Sequence, residues 1–218
     1  MKSFFVLCGM LTVLLLTGCA QPKQYDYSAF KQSKPKSILV LLPQNETPEV
    51  MASYGFMSQV TLPLAESGYY VFPVAVVEET FKQNGLTSAQ DINSVSLEKL
   101  NQIFGADAVL YLNVKQYGTS YQIIMSDTRV TVGAKLVDAH SGDILWSGGA
   151  TASNTENNSS SGGIIGMLVS AVVTQISDSI TDKSHQIAGI TSGRLLFAGH
   201  PNGILYGPRS PKFGKDAQ

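Results

Sequence analysis

The chain has 218 residues, 44% of them hydrophobic and 14% charged, with a formal net charge of −1. That balance fits one globular domain with an apolar appendage and excludes a collagen, a coiled coil or a wholly disordered chain. With Lys+Arg 15 against Asp+Glu 16 and no basic run, the general electrostatic attraction behind nucleic-acid binding has no source, so no nucleic acid is expected as a partner.

Residues 1–18 read as a lipoprotein signal peptide. Lys2 gives a cationic start, and the apolar stretch 4–16 falls short of the ~20 residues that span a bilayer permanently. After Leu16, Thr17 and Gly18 offer a signal peptidase the narrow side chains it needs before its cut, and Cys19 behind them is the thiol that takes a diacylglyceryl group. This order of residues resembles the bacterial lipobox. Cys8 leaves with the signal and Cys19 is acylated, so the mature chain has no disulfide and its stability rests on core packing. Two or three acyl chains make attachment stable where one is marginal. The sorting rule implied by the lipobox resemblance, with Ala20 and not Asp after the cysteine, points to the outer membrane, the domain lying in the periplasm.

Residues 19–36 follow as the lipidated cysteine and a flexible tether: the stretch is polar, holds Pro22 and Pro35 and has no sustained apolar period. Extended, it reaches roughly 55 Å. Its aromatic residues Tyr25, Tyr27 and Phe30 either pack on the domain, contact a partner or are scattered along the leader.

A domain is expected over 37–198. The apolar run Ile38-Leu39-Val40-Leu41-Leu42, closed by Pro43, suits a strand covered on both faces. Thr47-Pro48-Glu49 predicts a helix start, with a helix to about Ser67 kinked or restarted at Pro63 and stopped by Gly68. Tyr69-Tyr70-Val71-Phe72 is a second strand, and 76–84 a short helix before Gly85. Thr87-Ser88-Ala89-Gln90 matches a capping box, and Ser96 precedes the stripe Leu97, Leu100, Ile103 and Phe104, which Gly105 ends. Residues 108–114 are a central strand, with Gly118-Thr119-Ser120 turning the chain. From Thr128 the alternation of Val130, Val132, Ala134 and Leu136 predicts an antiparallel strand, joined through 138–143 to a partner over 144–152. Residues 153–163 read as a loop, and 164–186 as a helix whose first half is apolar nearly all round. The Gly/Pro-rich tail 199–218 excludes regular structure but keeps Leu205, Tyr206 and Phe213, which favours its lying along the domain or a partner over plain disorder.

Chemical motifs are few. His140, His185 and His200 are scattered, no pair has ligand spacing and no mature cysteine joins them, so no metal site or cofactor is expected. Glu78 and Glu79 are adjacent on a helix and do not converge for acid–base work. Gly162-Gly163-Ile164-Ile165-Gly166 lacks the spacing of a dinucleotide fingerprint, and Ser147-Gly148-Gly149 is no nucleophile elbow. No catalytic residue is assigned.

The lipobox, Gly68-Tyr69-Tyr70-Val71-Phe72-Pro73-Val74, Ala106-Asp107-Ala108, the run Asp138-Ala139-His140-Ser141-Gly142-Asp143-Ile144-Leu145-Trp146 and the closing Gly207-Pro208-Arg209-Ser210-Pro211-Lys212-Phe213-Gly214 occur in this order. Together they resemble the periplasmic lipoproteins typified by GNA-type neisserial antigens, over nearly the whole mature chain. The resemblance implies a single α/β domain, a mixed sheet with helices packed on it, similar to the amino-terminal domain of TolB and the periplasmic part of CsgG. It also implies a non-enzymatic, lipid-anchored component of an envelope assembly, secretion-related in one form, whose partners are other envelope lipoproteins or a second copy in a homo-oligomer. An alternative is a small-ligand or glycan binder with a pocket lined by Tyr111, Tyr117 or Tyr121. A cryptic hydrolase combining one of the three histidines with a distant acid and hydroxyl is the third.

Overall fold

The structure, a computed structural model, describes residues 25–121, 126–156 and 183–216. The described elements are α1 (Ser28–Ser33), β1 (Ser37–Val40), β2 (Gln44–Asn45), α2 (Ala52–Met57), α3 (Thr61–Glu66), β3 (Tyr70–Val71), α4 (Val74–Gln83), α5 (Ala89–Ser94), α6 (Leu97–Phe104), β4 (Ala108–Tyr121), β5 (Ser126–Asp138), β6 (Ile144–Ser153) and α7 (Lys183–Leu196). They make one mixed α/β domain around a six-stranded sheet in the order β3-β1-β4-β5-β6, with β2 continuing beside β4 beyond β1.

The apolar run at β1 does what an uninterrupted apolar strand should. It pairs in parallel with β3 and β4, and Ile38, Leu39 and Val40 are fully buried, facing opposite sides in turn. On one face Ile38, Val40, Leu110, Val132 and Leu136 pack against α2, α3 and α7 through Phe56, Leu64, Ala188 and Leu196. On the other, Leu39, Leu41 and Val109 meet α4, α5 and α6 through Val77, Phe81, Ile92 and Leu100. Helices α4–α6 cover only the parallel end. The outward positions of the antiparallel end, among them Lys115, Lys135, Ser147 and Gly149, are left exposed.

Ser96 caps α6 by accepting from the Lys99 N–H, and Gly105 ends it in the left-handed conformation, as the sequence predicts. The β5–β6 hairpin and its Asp138–Asp143 turn are also as expected. Several boundaries move. The helix expected from Thr47 begins at Ala52, because the Thr47 N–H and hydroxyl both donate to Asn45 Oδ1 and the Asn45 amide donates to Glu49 O. A local turn thus captures the groups that would have opened the helix. At α5 the cap is Ser88, paired with Asp91, one residue later than the Thr87 box. Gly118, Thr119 and Ser120 do not turn the chain: β4 runs on to Tyr121, paired with β5 as far as Tyr121–Ser126.

The largest departure lies at the N-terminal side. Residues 25–36, expected within a flexible tether, are part of the domain: Phe30 is 4% exposed in the core, and Tyr25, Tyr27 and Ala29 pack around it. Apolar side chains spaced two and three apart are too few to show a period, yet enough to seat one short helix when a groove is waiting. The tail, described over 199–216, by contrast lies along the domain as favoured, with Ile204 1% exposed. Of the helix expected over 164–186, residues 164–182 lie outside the described residues; the described α7 covers Lys183–Leu196, well past the expected end.

Candidate functional site

Two walls of the domain present chemistry. The first is a seam where the entering chain meets the leaving chain. The Tyr25 N–H donates to Asn202 Oδ1 at 2.9 Å and the Tyr27 hydroxyl donates to Gly203 O. The rings of Tyr25, Tyr27 and Phe30 touch in sequence, the first pair tilted and the second edge-on, with centroids 4.9 and 6.4 Å apart. Burial, with Tyr25 and Asp216 nearby, pushes the Tyr27 hydroxyl up to about 12.

Opposite, the tail is held against the end of α3. The Gly207 N–H donates to Ser67 O at 2.8 Å, and the Arg209 N–H to Gly68 O at 3.1 Å. Gly68 has φ +98, and a Cβ there would strike the backbone of Gly207 and Ser210, so a side chain is excluded twice over. The Tyr69 hydroxyl donates to Leu205 O, and burial drives its pKa far up. Between α1 and the tail is a cavity of about 350 Å³ lined by Phe30, Lys31, Lys34, Leu205, Tyr206 and Phe213. Its charged groups are Lys31 of α1, Lys34 at the cap that ends α1 and Asp216, and Lys212 Nζ lies 5.5 Å from the centroid of Tyr206.

The second wall is the uncovered outer face of the sheet, a groove of about 520 Å³. Tyr111, Asn113, Lys115 and Lys135 line it, with Gln44 and Asn93 at one side and Gly133 in its floor. Gly133 pairs with Asn113 and Gly149, so two glycines abreast keep the floor flat. Lys135 Nζ stands 5.5 Å from the Tyr111 ring centroid, and burial raises the Tyr111 pKa. Of the three tyrosines expected to line a pocket, only Tyr111 is shown to do so. Tyr117 points to the opposite face and is buried in the core against Gly55 of α2, and the side chain of Tyr121 is outside the described set.

The histidines are apart in use. His185 Nε2 meets the Gln59 amide at 2.7 Å, and half-buried His200 has its pKa lowered by burial. His140 Nδ1 is 3.8 Å from Asp138 Oδ1, and its Nε2 faces Asn101 Nδ2 at 3.2 Å. The Ser33 hydroxyl donates to the other Asp138 oxygen. The carboxylate therefore stands between hydroxyl and imidazole, an order in which the imidazole cannot take the serine proton. Glu78 pairs with Lys82 at 2.6 Å instead of converging with Glu79. Among the described residues no three His, Cys, Asp or Glu side chains are grouped to hold a metal. Leu16, Thr17, Gly18 and Cys19, and the glycines at 162–166, lie outside the described residues.

The lysine cluster of the seam escaped the sequence reading. Lys31 and Lys34 are separated from Lys212 and Lys215 by most of the chain, so no linear charge run announces them.

The crystal structure of "Lipoprotein GNA1162" from Neisseria meningitidis has TM-score 0.53 and 56% sequence identity, covering 66% of this chain and 100% of that one. The GNA1162-like family, described as "Putative lipoprotein GNA1162-like", matches residues 25–209, and this chain belongs to it. "Putative lipoprotein NMB1124/NMB1162" of N. meningitidis serogroup B is 53% identical over 206 residues, 94% of this chain and 95% of that protein. A solved LpoB C-terminal domain from Salmonella enterica is more distant, 22% identical with TM-score 0.38, covering 54% of this chain and 82% of that one. The resemblance read from the ordered motifs is thus the correct family.

Proposed function

We propose that this lipoprotein is a non-enzymatic component of the outer-membrane envelope, anchored by acyl chains on Cys19 and holding its domain in the periplasm. There it binds a protein partner, another envelope lipoprotein or a second copy of itself, in a secretion or surface-assembly system. The observation that carries the reading is positional: Tyr25, the first described residue, is already bonded to the domain and stands six residues after Cys19, so an anchor there has little slack before the folded body. The inverted order of Ser33, Asp138 and His140 supports a binding role over hydrolysis. Replacing Cys19 with Ala should move the protein out of the membrane fraction and abolish labelling by a fatty-acid probe. Unchanged partition and no label on the native protein would overturn the anchor. Crosslinking in intact cells should trap a second chain; recovery of monomer alone would refute the partner.

The open sheet face supports a second reading, a small-ligand or glycan site. Its flat glycine floor, carboxamides and the two lysines Lys115 and Lys135 would suit an acidic sugar. An acidic oligosaccharide should raise the melting temperature of the wild type and not of Lys135→Ala; no shift with any acidic glycan tested rejects this reading.

A further inference from the structure

We infer that the wall formed by α1 and the C-terminal tail is a bilayer-facing surface, which rests on anionic phospholipid headgroups. The inference depends on acylation of Cys19 and deepens it by assigning which side of the domain meets the membrane.

Reach comes first. Tyr25 stands six residues beyond Cys19, and at about 3.3 Å each that stretch spans at most about 20 Å. The point where the chain joins the body is therefore held within that distance of the lipid. Tyr25 and Tyr27 join it at Asn202 and Gly203, immediately before the residues that line the seam cavity. A rigid body leashed so shortly at one wall turns that wall toward the surface it is leashed to.

Charge comes second. Lys31 on α1, Lys34 at its C-terminal cap, and Lys212 and Lys215 on the tail are all exposed, and none is in an ion pair with a described residue. Two carboxylates share this wall and keep their charge: Asp216, which lines the cavity, accepts from the Tyr206 N–H at 2.7 Å, and Asp26 accepts from the N–H and hydroxyl of Ser28. In a chain of net charge −1, four ammonium groups against these two carboxylates leave a positive excess on the wall nearest the anchor. A phosphate-bearing surface is the complementary partner, and each lysine brought to it gains about fivefold in residence there. The acyl chains multiply the effect by keeping the local concentration of lipid high.

Shape comes third. Phe213, flanked by Lys212 and Lys215, is 44% exposed beside the cavity. An aromatic ring between lysines suits the boundary between headgroups and acyl chains.

The test uses the full native lipidated protein in vesicles of phosphatidylcholine alone or with added phosphatidylglycerol. Phe213→Trp supplies a fluorescent reporter, and the wild type, with buried Trp146 alone, gives the background. Brominated lipid should quench the introduced indole several-fold above background when phosphatidylglycerol is present. The added Lys31→Glu, Lys34→Glu, Lys212→Glu and Lys215→Glu changes should return quenching to background while the protein stays on the vesicles. Amine labelling of the four lysines should slow on the anionic vesicles alone. Acylated protein whose reporter is unquenched, or whose lysines label equally with and without vesicles, overturns the inference and leaves the anchor standing. A native mass without acyl groups overturns both. Lysines protected in intact cells but not on vesicles assign the wall to a protein, and that too overturns the inference.

Discussion

Two aspartates do the work of pins. Asp107, at the entry to β4, accepts from the backbone N–H groups of Lys36 and Ser37 and from the Ser37 hydroxyl, each at 2.9 Å, and so ties the first residue of β1 to the start of its neighbour. Asp138, at the end of β5, accepts from the Ser33 hydroxyl of α1 and from the N–H groups of His140 and Ser141. Burial alone would raise its pKa, but these donors and the adjacent imidazole together hold it below its ordinary 3.8. A carboxyl depressed on folding stabilises the fold above its unfolded pKa, and that contribution is lost as pH falls through the lower folded value. Asp138→Ala should therefore cost about 1–3 kcal/mol at neutral pH, since three donors lose a buried acceptor. Urea melts at decreasing pH should show the gap between variant and wild type narrowing below the unfolded carboxyl pKa. A gap constant with pH would mean that the ionised form is not what the donors recognise.

At the scale of elements, small residues decide how closely layers approach. A Cβ on Gly55 of α2 would fall on the hydroxyl of Tyr117 in β4, and one on Gly148 of β6 would fall on the ring of Trp146. Gly55→Ala should destabilise by about 1–3 kcal/mol through overpacking, and by less when Tyr117→Phe has already removed the hydroxyl. Equal penalties in both backgrounds, measured by chemical denaturation, would show that the helix shifts freely. The short α1 depends on one anchor, Phe30, because six residues cannot hold a helix by propensity alone. Phe30→Ala should cost about 3–5 kcal/mol. If α1 opens as a local unit, hydrogen exchange will accelerate first at residues 27–34 and not in β4.

Over the whole molecule, the tail closes what α1 opens. Truncation after Gly203 would remove Ile204, the acceptor of the Tyr69 hydroxyl at Leu205, and the two backbone bonds to Ser67 and Gly68. The melting temperature should fall, and Tyr69 should gain solvent and titrate nearer its ordinary 10, a change readable by ultraviolet absorbance in alkali. An unchanged titration would show that Tyr69 is shielded by α3 and the sheet alone. The same closure makes α1 and the tail one surface, on which the membrane-facing assignment stands.

Much of this protein was legible along the chain because the information is local. The apolar run at 38–42 specifies a doubly covered strand, Ser96 and Gly105 bracket α6, and the alternation through Val130, Val132, Ala134 and Leu136 fixes which face of β5 is buried. The ordered motifs were enough to name the family. Tertiary structure alone decided that residues 25–36 belong to the body, that Tyr117 faces the core while Tyr111 lines a groove, and that Lys31 and Lys34 stand on one wall with Lys212. Period and spacing record which residues share a face of one element; they do not record which elements, far apart in the chain, come to share a surface. The first depends on backbone geometry over a few residues, and the second on where the packed core leaves room.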